Sequence, residues 1–215
     1  MKTTKALLVW ALALAPLVIT AALYSSLPDM IPMHWGAGGT VRYDSKVNIW
    51  WLAGLSPAMA GLFMLLPKID PLKKNYEKFR GVYDSIVIVM MLFMLGVVGL
   101  VLSESFNPGR LEVEFLAVAA IGLLFVFLGN IMPKVKSNFF VGVRTPWTLS
   151  STEVWNKTHR LAGFVWFFGG LLVLAAGFLL RGTALFTVFG VIIAVMTLIP
   201  VVMSYIWFKN LSDSN

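Results

Sequence analysis

Cysteine is absent from the 215 residues, which excludes disulfide bonds, thiolate metal ligands and cysteine nucleophiles. Charge is scarce. Asp, Glu, Lys and Arg make up 13% of the chain, whereas a soluble domain carries about a quarter. There are two histidines, His34 and His159. No HExxH, GxSxG, Walker or GxGxxG pattern is present, so nothing marks a zinc hydrolase, a serine hydrolase or a nucleotide site. The remainder is dominated by apolar residues, 59% of the total, as hydrocarbon requires, because an ion in a bilayer is costly.

Six apolar runs are long enough to cross about 30 Å of hydrocarbon at about 1.5 Å per residue. They cover residues 6–24, 49–66, 85–102, 115–132, 161–180 and 184–208, and none contains Asp, Glu, Lys or Arg. The expected fold is therefore an all-α polytopic membrane protein with six transmembrane helices. Of the 17 Lys and Arg, 13 fall at the N-terminus, in residues 67–84, in residues 133–160 or at the C-terminus. Arg42, Lys46, Arg110 and Arg181 are the four on the other side. That asymmetry predicts both termini in the cytoplasm. The net charge of +7 is then a topology signal, and direct nucleic-acid binding is not expected. The first run is longer than the roughly 7–15 residues of a signal-peptide core, so it is read as a retained helix.

The first external loop holds two short β-capable runs, 31–35 and 40–44, around Gly36, Ala37, Gly38 and Gly39. This pattern predicts a hairpin on the outer surface, decorated by His34, Trp35, Arg42, Asp44 and Lys46. The loop after span two is basic. Lys73, Lys74, Lys78 and Arg80 read as an anchor on anionic headgroups. Spans two and four leave the membrane with similar text, LLPKIDPLKKN and IMPKVKSN. The chain is accordingly divided into three-helix halves at 1–112 and 113–215; the similarity is either a repeat or two Pro-Lys exits.

Residues 129–163, GNIMPKVKSNFFVGVRTPWTLSSTEVWNKTHRLAG, combine the most polar chemistry with the most aromatics. Lys134, Lys136, Arg144, Lys157 and Arg160 face one acid, Glu153, among Phe139, Phe140, Trp147 and Trp155. Ser150 and Glu153 fit a capping box, starting a helix that continues without a breaker into span five. On span five, Gly163, Gly170 and Gly177 form one small-residue stripe, and Ala162, Gly169 and Ala176 another. Such stripes allow close backbone approach in lipid, which makes span five the expected packing centre. Gly54, Ala58 and Gly61 repeat the pattern more weakly on span two, and Pro16, Pro57 and Pro200 are expected kinks.

The two histidines fall on opposite faces in this topology, so no metal site or cofactor is expected. The spans also lack the ionisable groups that coupled transporters keep there; Thr187, Thr197 and Ser204 are expected to bond their own helix backbone. Arg144, Thr145, Pro146, Trp147 and Thr148 form a short turn whose arginine can grip a phosphate or carboxylate. Glu153 can pair with Arg144, Lys157 or Arg160. The loop is thus either a tied-down connection between spans four and five or a binding surface.

At Asn130, Pro133, Lys134, Asn138, Gly142, Arg144, Thr145, Pro146, Trp147, Trp155, Thr158, His159, Arg160 and Gly163, the segment resembles the signature of the SdpI family. The first half, with IPMHWGAGG and LLPKIDPLKKNYEKFRGVY, resembles the domain of unknown function that often precedes it. The resemblance implies a non-enzymatic membrane protein of immunity and signalling. Its partners would be the lipid bilayer, a secreted antimicrobial peptide and a cytoplasmic transcriptional repressor. Two other readings stand beside it. A small-molecule or lipid permease needs a polar cavity reaching the midplane. An intramembrane enzyme needs Arg144, Glu153 and His159 to converge.

Overall fold

The computed structural model describes residues 3–36 and 40–212. Six long apolar helices dominate it: α1 (Thr3–Leu23), α2 (Ile49–Ile69), α4 (Arg80–Phe106), α5 (Val113–Ile131), α7 (Thr152–Leu179) and α8 (Gly182–Ser212). Two short helices, α3 (Asn75–Lys78) and α6 (Pro146–Ser150), lie in the connections. Each long helix can satisfy its backbone internally, the condition for crossing lipid, and the chain is a multi-pass plasma-membrane protein.

Between α1 and α2, β1 (Met30–Trp35) pairs antiparallel with β2 (Val41–Ser45). Met30 stands opposite Ser45 and Trp35 opposite Val41, with a register shift between Pro32 and His34. The Gly36 amide donates to the Thr40 carbonyl at 2.8 Å and closes the hairpin. The expected connection residues Ala37, Gly38 and Gly39 lie outside the described residues. The hairpin is seated by apolar contact: Ile31, fully buried, packs with Leu27, Ile49, Val98 and Leu102 against the end of α4.

Several helices continue past the ends of their apolar runs. Helix α2 passes through Pro67 to Ile69, and α4 takes in both Asp84 and Glu104. Both acids lie outside the apolar run 85–102, and both are buried. Each has a partner that makes burial tolerable. Asp84 pairs with Lys5 at 3.3 Å. Glu104 accepts hydrogen bonds from the amides of Gly109 and Leu111, both at 2.8 Å, and so holds the turn to α5.

Helix α7 is the packing centre, flanked by α5 and α8, while α1, α2 and α4 form a second group. The α5–α7 seam is built on backbone approach. A Cβ added to Gly129 would strike the Phe167 backbone, one on Gly163 would strike Pro133, and one on Gly170 would lie 2.7 Å from the Gly122 carbonyl. On the opposite side of α7, Gly169 leaves room for Met196 of α8. The expectation for α2 fails. Nothing lies within 4 Å of a Cβ built on Gly54 or Gly61, because no partner helix presents a close-packed face there.

Candidate functional site

The 133–160 segment is folded onto the bundle through its polar atoms. Asn138, fully buried, is the pivot. Its Oδ1 accepts from the amides of Phe140 at 2.9 Å and Val141 at 2.7 Å. Its Nδ2 donates to the carbonyls of Lys136 at 2.9 Å and Val141 at 3.0 Å. An amide side chain can replace a turn's backbone partners in this way, which explains why an asparagine sits inside a buried loop.

The other basic connection supplies the rest of the clamp. Asp70, also buried, accepts from Leu72 N at 2.7 Å, Tyr76 Oη at 3.0 Å and Phe139 N at 2.9 Å. Tyr76 Oη also lies 3.3 Å from Asn138 Oδ1, and Asn75 donates to the Ser137 carbonyl at 2.9 Å. Burial pushes the Tyr76 phenol far above its ordinary value, and its bond to Asp70 acts in the same direction. Asp70, Asn75 and Tyr76 were not among the residues singled out from the sequence. The one local cue was Asp70 before Pro71, an arrangement suited to accepting from the amide two residues on.

Around the start of α7, polar groups are again satisfied within the protein. Trp155 is fully buried and donates its indole N–H to Val135 O at 3.0 Å. His159 stacks on Trp155 with ring centroids 3.9 Å apart. Its Nδ1 donates to the Trp155 carbonyl at 2.9 Å, and its Nε2 accepts from Val143 N at 3.2 Å. This pairing selects one neutral tautomer and leaves neither nitrogen for a metal or a substrate. Gly142 approaches the same ring with φ +110°, where a side chain would collide with Nε2.

The helix start differs from the expected Ser150–Glu153 box. Ser151 is the N-cap of α7, accepting from Val154 N at 3.3 Å, while Ser150 donates back to the Pro146 carbonyl. The reason lies one turn earlier, where Thr145 and Thr148 form their own capping box around Pro146 and use Ser150 as the end of α6. Thr145 Oγ1 also shares a 3.1 Å hydrogen bond with Ser204 of α8, and Trp147 packs on Tyr205. Glu153 selects Lys157, at 2.7 Å, rather than Arg144 or Arg160. Thr158 is buried, and its hydroxyl has no partner among the described residues.

Arg144, Asn130, Lys134 and Arg160 remain exposed. Arg144 donates to the Phe139 carbonyl at 2.8 Å, which fixes its stem beside the loop. A groove of about 320 Å³ runs between Pro133, Lys136, Asn156, Lys157 and Arg160. Among the described residues, Arg144, Glu153 and His159 do not hydrogen-bond or ion-pair with one another: two are exposed and the third is enclosed. On span six, Thr187 and Thr197 donate to carbonyls four residues back, and Ser204 to Val201.

At the hairpin, His34, Arg42 and Asp44 gather. Arg42 Nη2 lies 3.0 Å from His34 Nδ1 and 3.8 Å from Asp44 Oδ2, and His34 Nδ1 is 3.5 Å from that oxygen. Trp35 is half-buried beside the apolar seat of the hairpin. The described residues contain no group of His, Asp and Glu spaced to hold a metal.

The chain is 23% identical over 192 residues to the immunity protein SdpI of Bacillus subtilis (strain 168), covering 89% of this chain and 90% of that protein. No solved structure gives a significant match. Residues 11–56, from α1 through the hairpin into α2, match the domain of unknown function DUF1648, and residues 134–204, which hold the folded loop and α7, match the SdpI/YfhL protein family.

Proposed function

We propose that this chain is a plasma-membrane immunity protein that protects its producer from a secreted peptide and acts by binding rather than by catalysis. The observation that carries the reading is the similarity, over 89% of the chain, to a protein named for immunity. Both termini face the cytoplasm in this proposal, so the hairpin with His34, Trp35 and Asp44 meets the peptide outside. The exposed cations Lys134, Arg144 and Arg160, beside the groove at Lys136 and Lys157, present an inner surface for an acidic face of a soluble transcriptional repressor. The buried members of the loop hold that surface in shape.

The permease reading has less support, because the hydroxyls of α8 are bonded within the protein. The test is a producing strain challenged with its peptide. Arg144→Ala with Arg160→Ala should release the repressor while the protein still inserts, and His34→Ala with Trp35→Ala should lower survival. Intact protection and intact recruitment in both variants would reject the proposal.

A further inference from the structure

A second cavity, of about 440 Å³, opens between the start of α1, the end of α2, α3 and the start of α4. Its floor is apolar, formed in part by Ala6, Phe63 and Val87. Its rim carries Lys68, Lys73 and Arg80. None of these three cations has a carboxylate within ion-pair distance among the described residues. Two acids line the cavity, Glu77 and Asp84, and Asp84 is already neutralised by Lys5 at 3.3 Å. The rim therefore keeps a net positive charge above an apolar pocket.

Depth specifies the ligand. The cavity lies where three apolar spans end, which is the level of lipid headgroups. We propose that it is a binding site for one anionic phospholipid, with the phosphate among Lys68, Lys73 and Arg80 and an acyl chain against Phe63 and Val87. The site differs from diffuse attraction of a basic loop because Lys74 and Lys78, on the same connection, do not line it. It is independent of the immunity reading and is tested without any peptide.

The experiment is native mass spectrometry of the full-length protein in detergent, titrated with phosphatidylglycerol, phosphatidylcholine or inorganic phosphate. One phosphatidylglycerol should be retained in preference to phosphatidylcholine. Lys68→Gln with Lys73→Gln should weaken that binding about thirtyfold, as expected for two headgroup charges. Lys74→Gln with Lys78→Gln should leave it near the parental value. Ala6→Phe should fill the floor and expel the lipid with every charge retained. Equal losses in the two lysine pairs, equal retention of both lipids, or binding of phosphate that survives Ala6→Phe while no lipid is held would each overturn the proposal.

Discussion

Replacing Asp70 by alanine should detach the 137–141 turn from the bundle. The carboxylate accepts three hydrogen bonds at 2.7–3.0 Å, from Leu72 N, from Tyr76 Oη and from Phe139 N, the last of these 69 residues further along the chain. A buried donor left without a partner costs about 1–3 kcal/mol. Stranding Phe139 N places the loss at about 1–3 kcal/mol, with Tyr76 Oη free to turn to Asn138 Oδ1 and Leu72 N to water. Asp70→Asn keeps the shape and one acceptor but aims an N–H at a donor, so it should cost about 1–3 kcal/mol. Asp29→Ala is the control, since Asp29 has a side chain 94% exposed and a single pairing with Lys46, worth about 0–1 kcal/mol. Equilibrium unfolding in mixed micelles gives the ordering, and amide exchange at Phe139 and Val141 locates it. A loss below about 1 kcal/mol for Asp70→Ala, or unchanged exchange at those amides, would refute the clamp.

Alkali should loosen the same contact. Tyr76 has its phenol pushed upward in the folded protein, so its stabilisation is complete below the unfolded value of about 10 and is lost as pH rises above it; Tyr76→Phe should flatten that part of a stability–pH curve. Gly142→Ala combines a positive φ with a collision at His159 and should cost at least about 1–3 kcal/mol, read from thermal unfolding. Gly129→Ala should lower the melting temperature sharply, whereas Gly54→Ala, which meets open space, should leave it unchanged or raise it slightly.

The spans were legible because hydrocarbon imposes one simple demand on composition, and α7 was recognisable as the centre from its two small-residue stripes. The helix ends were less legible. Asp84 and Glu104 join α4 only because Lys5 and the Gly109 and Leu111 amides satisfy them, and those partners are set by the fold. The stripe at Gly54 and Gly61 shows the complementary limit: small residues permit close approach, but Gly122 and Gly129 on a facing helix are needed to use it.

The chemistry-rich segment was also visible, but the division of labour within it was not. Asn138 and His159 read as polar groups available for recognition, whereas the fold encloses both and uses their hydrogen-bonding atoms internally. The decisive partner, Asp70, stands in a connection whose other features are those of a basic anchor. Ser150 and Glu153 matched a helix-start pattern, yet Thr145 and Thr148 began an earlier helix and displaced it by one residue. Local text names the competing caps; packing of Trp147 on Tyr205 favours the first.

The pairing of Lys5 with Asp84 has a practical consequence for anyone expressing the protein. Trimming the chain back to Ala6, or replacing Lys5 with an uncharged residue, would strand a carboxylate whose side chain is 7% exposed. A fusion partner is better joined ahead of residue 5 than substituted for it, and poor yield from a shortened version would trace to one missing ammonium group.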